Sequence, residues 1–506
     1  MTGTQRDAAN PCQLLPSPSR RGSGLLLTAG LAAFAAAIAL YVGYAAAHPM
    51  HDWMEPVDLR VYRFGGLIAA HVAPFYHARY SSPLYQWPGF GNLKFTYSPF
   101  AALVFTVLTV PSLATLLKLS IAVNIAALLA TIWYAFGGLG YRAGPARAGG
   151  TLLVAAAVFW TEPVLRTLFL GQVELVLMAL IMWDMCQSDR RWWKGAGVGI
   201  AAGIKLVPLI FIPYLLVTRR YRQAGIAAAT FGGTVVLGFI AMPADSRRWW
   251  LDGVFAQGTR TGFVGWEGNQ SLRGLITRLV GSVAGAQPVW LAAAALTVIA
   301  GLACAAILHR AGHPVVGLLA CALTGLLVSP ISWDHHWVWI VPAITACVGY
   351  AVRSRGAIRW ALAGLAAMIA GLFGAWPGGL WGEPQDLGAF SYGLIWAPPN
   401  TNPGTYYRLG DQPWFVEYHW HGLELVTGNL YLLTGLLLFG LLLAIAAAGW
   451  RGGRRLPGGG TGEVSRQRAE SQVPPSPPGS LQYPDPDYLP GEVSSGRTGP
   501  ARPVQP

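Results

Sequence analysis

Long apolar runs alternate with short polar, arginine-rich connectors along most of the chain. The first uncharged run, Gly24 to Tyr44, follows Arg20 and Arg21, and a run of about 20 residues is long enough to cross a bilayer as a helix. Further runs lie at 98–137, 149–187, 195–217, 223–242, 287–308, 314–331, 334–352, 357–376 and 422–449. In lipid every backbone polar group needs an internal partner, so runs of this length predict helices rather than open strands. The expected fold is an all-α integral membrane protein: a polytopic helical bundle of about ten to twelve transmembrane segments with outer interfacial loops and helices.

Two runs are interrupted. Pro111 cuts the 98–137 run early, and Gly203-Ile204-Lys205-Leu206-Val207-Pro208 cuts the 195–217 run. Non-helical backbone at membrane depth is tolerated where it lines a protein or water-filled cavity, so both breaks point towards a site. Residues 1–19 read as a disordered lead, 20–450 as one polytopic domain and 451–506, rich in Gly, Pro and Ser, as a disordered tail. Arg20/Arg21 and Ala45-Ala46-Ala47 also fit a cleaved signal peptide, but the apolar part is longer than such peptides carry, and a retained anchor is expected. The clusters Arg219/Arg220/Arg222, Arg353/Arg355/Arg359 and Arg451/Arg454/Arg455 are cytoplasmic by the positive-inside rule if 243–286, 329–335 and 377–421 face out. Both termini then lie inside, in a multi-pass plasma-membrane protein.

Composition sharpens this picture. The chain is 53% hydrophobic and only 11% charged, with a mean hydropathy of +0.43, against about 25% charged residues in soluble domains. The net charge of +13 comes from arginines beside spans, so no nucleic-acid partner is expected. Five cysteines without C-x-x-C spacing give neither a disulfide framework nor a zinc site. No Walker loop and no G-x-G-x-x-G after a strand appears, against an ATP-driven pump or a Rossmann enzyme. Asp485-Pro486-Asp487 imitates a D-x-D metal motif but lies in the tail.

Candidate chemistry concentrates in the first outer loop, Ala45 to about Tyr97, which holds Asp52, Glu55 and Asp58 among many aromatics. Asp58 opens an amphipathic stretch, Leu59 to Val72, suited to lie in the interface plane, where a base meets both a lipid-borne donor and a polar acceptor. Asp52 and Glu55 read as solvated neighbours. Lys205 sits near the middle of an apolar run; an ionisable residue at that depth is a functional candidate, and a cation there suits a phosphate. In Ser329-Pro330-Ile331-Ser332-Trp333-Asp334-His335-His336-Trp337 the adjacent histidines would point to opposite faces of an extended segment, which disfavours a shared metal and favours phosphate binding or orientation of the base. Asn269, Gln270 and Arg273 form a polar patch in the 243–286 loop suited to sugar hydroxyls, with Arg273 and Arg278 also placed to meet anionic head groups. Glu162 and Arg166 read as a structural i, i+4 pair.

Six motifs in order then carry a resemblance: Asp58-Leu59-x-Val61-Tyr62, Phe95-Thr96-Tyr97-Ser98-Pro99-Phe100-Ala101-Ala102-Leu103, Gly171-Gln172-Val173-Glu174-Leu175, Gly203-Ile204-Lys205-Leu206-Val207-Pro208, Asn269-Gln270-Ser271-Leu272-Arg273-Gly274 and the 329–337 segment. The set resembles actinobacterial GT-C glycosyltransferases that use polyprenyl-phosphate-mannose, in particular the alpha-(1,2)-mannosyltransferases of phosphatidylinositol mannoside and lipomannan synthesis, over about residues 24–450. The resemblance implies a GT-C type bundle and an inverting membrane mannosyltransferase. It makes Asp58 the catalytic base, puts donor-phosphate contacts at Lys205, His335 and His336, and substrate contacts at Tyr62, Gln172, Asn269, Gln270 and Arg273. The implied partners are polyprenyl-phosphate-mannose, a glycolipid acceptor and membrane lipids, around a monomer with no metal and no cofactor. A polyprenyl-phosphate-arabinose donor on the same scaffold, or a lipid or sugar transporter with similar broken helices, stays open. The Pro-rich tail and the loop 377–421 depart from the family pattern and leave the acceptor open.

Overall fold

The protein is described here from a computed structural model, over residues 19–70, 94–257, 260, 262–375, 393–396, 406–409 and 412–452. The lead, the tail, the aromatic stretch 71–93 and most of the 377–421 loop lie outside the described residues, so the expectations placed there concern other parts of the chain than those below. The chain divides into a unit of residues 1–459 and a second unit, 460–506, which falls wholly outside them.

Among the described residues, five helices are long and apolar enough to cross a bilayer: Arg20–Ala47, Leu113–Gly138, Tyr221–Ala241, Val283–Arg310 and Leu430–Ala448. A sixth crossing arises if the bent pair Glu162–Leu170 and Glu174–Met185 is one span. Shorter apolar helices occupy Pro99–Thr109, Pro145–Val158, Val207–Val217, Pro314–Val328 and Gly356–Leu372. The protein is therefore a polytopic, predominantly helical membrane protein. Beside the helices, Tyr406–Leu409 pairs antiparallel with Gln412–Phe415, Tyr406 opposite Phe415, a short ribbon that leaves the expected all-α class unchanged.

The outer surfaces carry large apolar side chains, such as Leu25 at 73% and Leu40 at 65% exposure on the first helix, as lipid-facing positions require. Inside, small residues bring helices together. A Cβ on Gly30 would stand 2.5 Å from the Gly149 carbonyl oxygen, and one on Gly149 would stand 2.4 Å from that of Leu26. This is the close backbone approach that drives helix association where lipid removes the hydrophobic incentive.

Both interruptions expected from the sequence are present. The helix Ala196–Ile204 ends at Lys205, whose backbone is extended (φ −135°, ψ 134°), and Pro208 opens the following 3₁₀ turn Val207–Ile210. The Gly203 carbonyl freed by the break accepts a hydrogen bond from the Ser98 hydroxyl, and Ser98 Oγ in turn accepts from Ala101 N at 3.1 Å, capping the helix Pro99–Phe105. One serine thus joins the two broken runs.

A third break carries more consequence. Glu162–Leu170 and Glu174–Met185 meet at 117° through Gly171, which sits in the left-handed region at φ +69° and whose Cβ, if present, would lie 2.7 Å from Leu59 Cβ. Only glycine meets both demands at low cost. Gly171→Ala is expected to cost roughly 2 kcal/mol or more and to lower the thermal midpoint in detergent; an unchanged midpoint would mean that the turn relaxes freely.

Candidate active site

The helix Val57–Ala69 is two-faced. Leu59, Tyr62, Gly66 and Ala69 are buried against the bundle, while Val57, Asp58 and Val61 face a cavity of about 590 Å³. Its entry is fixed by the Glu55 amide, which donates to the Phe169 carbonyl at 2.9 Å. Tyr62 packs between Phe105 (centroids 4.7 Å) and Tyr97 (5.0 Å), contacts worth about 0.5–1.5 kcal/mol each beyond area burial. These anchors hold Asp58 at the cavity wall.

Around Asp58 the cavity brings together Arg166, Gln172, Lys205, His335 and His336. The broken helices supply three of them, which is why the bends matter. Gln172 follows the Gly171 turn, and its carbonyl is held by Asn124 Nδ2 at 3.1 Å. Its Oε1 accepts from the Tyr62 hydroxyl, leaving Nε2 to donate to Asp58, with which it is hydrogen-bonded. Burial raises the Asp58 carboxyl above its ordinary range, and His335, the Gln172 hydrogen bond, Lys205 and Arg166 oppose that rise in decreasing order. The outcome is a carboxylate that is easier to protonate than a solvated aspartate.

Lys205 pairs with Glu174 and with His336, whose Nε2 lies 3.0 Å from Nζ; Glu174 Oε1 is 3.5 Å from the same imidazole nitrogen. His335 Nδ1 lies 3.1 Å from Asp334 Oδ1, and Asp334 Oδ2 is 3.2 Å from Arg166 Nε. The two histidines do not point to opposite faces. Asp334–Trp339 is a 3₁₀ helix rather than an extended segment, so successive side chains turn by about 120° and both rings reach the cavity, edge to face at 4.7 Å. Ligand atoms of Glu174, His335 and His336 come within 4.8 Å of one another, a grouping that would suit a cation. The Lys205 ammonium already bridges Glu174 and His336, so a metal would have to displace it, and the donor set does not fit a resident ion well.

Arg166 is not simply the i, i+4 partner of Glu162: it crosses to Asp334 and faces the cavity. Five other candidate residues, Tyr62, Asn269, Gln270, Arg273 and Arg278, do not line the cavity. Tyr62 is 2% exposed and lies behind Asp58 as a support rather than at the cavity surface. Asn269 and Gln270 are fully buried. Asn269 donates to the Val264 carbonyl at 2.8 Å and accepts from Ser332 N at 2.9 Å, while Gln270 Nε2 donates to the Glu267 and Gly428 carbonyls at 2.7 and 2.8 Å. Both amides fasten the 243–286 loop to neighbouring backbone. Arg273 donates to Gln287 at 3.1 Å and lies over Trp290; Arg278 is 2% exposed and satisfies the Gly265, Trp266 and Asn269 carbonyls and Asn429. From this loop Trp266 faces the cavity instead.

Sequence reasoning passed over Glu174, Asp334 and the cavity role of Arg166. The signal was present, because each is a charged residue within or beside an apolar run.

The glycosyltransferase family 87 model matches residues 95–330. The chain is 32% identical over 377 residues, 74% of its length and 83% of the relative's, to the polyprenol-phosphate-mannose-dependent alpha-(1-2)-phosphatidylinositol pentamannoside mannosyltransferase of Mycolicibacterium smegmatis. It is 34% identical over 303 residues to the protein of the same description from Mycobacterium tuberculosis, covering 60% of this chain and 68% of the relative. It is 30% identical over 324 residues to the alpha-(1-2)-phosphatidylinositol mannoside mannosyltransferase of Mycobacterium tuberculosis, covering 62% and 75%. No solved structure matches the chain. A family match that spans the Lys205 break and most of the cavity wall, and relatives covered over two thirds or more of their length, establish that this chain belongs to glycosyltransferase family 87.

Proposed function

We propose that the protein is an inverting, polyprenyl-phosphate-mannose-dependent alpha-(1,2)-mannosyltransferase acting on a phosphatidylinositol mannoside or a related lipoglycan. The observation that carries this reading is the cavity itself, in which the half-buried carboxylate of Asp58 faces a lysine from a broken helix and two histidines from a 3₁₀ turn. The relatives' substrates supply the donor and acceptor class.

The chemistry follows from that arrangement. The acceptor mannose hydroxyl gives its proton to Asp58 as its oxygen attacks C1 of a beta-linked donor mannose, and the bond to the phosphate oxygen breaks on the opposite face. An alpha-mannoside and a polyprenyl phosphate result. Lys205, with His335 and His336, offsets the charge growing on the leaving phosphate, a fixed electrostatic arrangement of the kind that dominates many enzymatic rate enhancements. Gln172 and Tyr62 hold Asp58 in place. In this reading the long helices, the bent pair and the shorter apolar helices together make ten to twelve transmembrane segments, 20–450 forms the catalytic domain, the cavity opens outward and both termini are cytoplasmic.

Purified protein supplied with radiolabelled polyprenyl-phosphate-mannose and phosphatidylinositol mannosides should yield labelled glycolipid that releases its label to an alpha-(1,2)-specific mannosidase. Label that stays on the prenyl carrier, or that crosses vesicles without forming a new bond, defeats the reading. Activity confined to the arabinose donor replaces it with the arabinosyl alternative.

A pH dependence also follows. Asp58 acts only when ionised, so transfer is lost as pH falls through its folded-state pKa. Because burial raises that pKa, the acid limb of kcat/KM is expected above the ordinary aspartate value of about 3.9; a limb at or below that value speaks against Asp58 as the base.

A further inference from the structure

The two adjacent histidines differ in what already surrounds them. His336 Nε2 is engaged by Lys205 at 3.0 Å and stands 3.5 Å from Glu174. His335 is 4% exposed, and its Nε2 is buried with no hydrogen-bond partner although the ring lines the cavity. A buried polar atom without a partner carries a free-energy cost, and this one belongs to a residue that lines the cavity.

Behind His335 stands a chain of polar groups that the transfer reaction does not touch directly. Asp334 Oδ1 is 3.1 Å from His335 Nδ1, Oδ2 is 3.2 Å from Arg166 Nε, and the Asp334 carboxyl is hydrogen-bonded to that of Glu162. Two carboxyls joined by a hydrogen bond need a proton between them. With Arg166 and His335 both on Asp334, that proton resides on Glu162. Glu162 is fully buried, and Trp396 Nε1 donates to its Oε1 at 3.3 Å while the Tyr431 hydroxyl donates to its Oε2 at 3.0 Å. The assembly therefore joins the 3₁₀ segment, the bent helix pair, the outer segment around Trp396 and the start of the last helix.

An ionised Asp334 can only accept, so His335 Nδ1 must be the donor in either charge state of the ring. That leaves Nε2 as the ring nitrogen with no hydrogen-bond partner among the described residues. We propose that Asp334 is a positioning residue for donor recognition: held by Arg166 and protonated Glu162, it fixes His335 so that its Nε2 meets the donor phosphate, while His336 serves Lys205 and Glu174. His335 Nε2 forms one hydrogen bond with the phosphate group. This inference rests on the reading of the donor as a prenyl phosphate. It assigns different tasks to the two histidines, and it gives Asp334, Arg166 and Glu162 a shared one.

The test is a double-mutant cycle on binding of undecaprenyl phosphate to the full-length protein in detergent, with undecaprenol as a phosphate-free control. His335→Gln is expected to weaken phosphate binding roughly 10- to 100-fold, the range for a hydrogen bond to a charged group. Asp334→Asn should weaken it by a similar or smaller factor, and the double variant no more than His335→Gln alone, since one residue acts through the other. Binding of undecaprenol should not change in any variant, which a merely structural role for Asp334 would not predict. Asp334→Glu keeps the charge while displacing the carboxylate by one methylene, and it reads the same coupling if Asp334→Asn does not fold. Additive losses, equal losses for undecaprenol, or wild-type affinity in His335→Gln overturn the inference. Mannosyl transfer by the wild-type protein is measured in parallel. A wild type that binds the phosphate but transfers no mannose removes the proposed reaction and leaves the cycle readable, whereas an active wild type with an additive cycle removes only the inference.

Discussion

Asp58→Asn is expected to retain the fold and lose mannosyl transfer by about 10²- to 10⁴-fold, the usual contribution of a general base. The fold should survive because the substitution removes a charge whose burial is unfavourable while the Asn carbonyl can still accept from Gln172. The anchors of the helix, Leu59, Tyr62 and Ala69, are untouched. Stability should therefore stay level or rise slightly, and undecaprenyl phosphate should still bind. The measurement is the initial rate of transfer by purified protein, with the thermal midpoint as a control for folding. A rate within a few-fold of the wild type would assign the base elsewhere, and a midpoint that collapses would assign Asp58 a structural task.

Lys205→Met should have the second-largest effect, for two separable reasons. Lys205 and Glu174 form an ion pair with side chains 16% and 12% exposed, and removal of one partner of a buried pair leaves the other charge uncompensated, at a cost of about 3–5 kcal/mol. The cation itself also faces the cavity, so transfer should fall by roughly 10²- to 10³-fold, as when one electrostatic stabiliser of a transition state is deleted. Lys205→Met combined with Glu174→Gln separates the two. The double variant no longer buries an unpaired carboxylate and should regain most of the lost stability, yet transfer should stay low. Recovery of transfer along with stability would reduce Lys205 to a structural counter-ion.

Among the predictions, those on Asp58 and Lys205 rest on residues visible in the sequence, and those on Gly171 and Asp334 do not. The difference has a physical basis. An acid at the head of an amphipathic stretch and a lysine within an apolar run violate the local pattern, and in lipid such violations are costly enough to need a reason. Glu174 and Arg166 violate it too, but the i, i+4 spacing of Arg166 from Glu162 offers a local account of that charge and nothing local names the partner of Glu174, so their partners had to be seen. Asn269, Gln270 and Arg278 read as substrate or lipid contacts because a polar patch in an outer loop resembles a sugar site. Their hydrogen bonds are spent on backbone carbonyls and amides of the same loop and its neighbours, a long-range pairing that local sequence does not encode.

The sequence by itself determined that this is a polytopic helical membrane protein with interrupted runs at 98–111 and 203–208, and it singled out Asp58, Lys205 and the histidine pair. Hydrophobic run length and the cost of placing charge in lipid are local properties of the chain, so they survive without a structure. Only the tertiary structure decided that these residues line one cavity, that Gly171 turns Gln172 towards Asp58, and that a 3₁₀ turn sends both histidines to the same side. It also decided which polar groups are free to meet a ligand, because whether a buried donor or acceptor is satisfied depends on partners far apart in sequence: His335 Nε2 is left open, and the amides of Asn269 and Gln270 are closed.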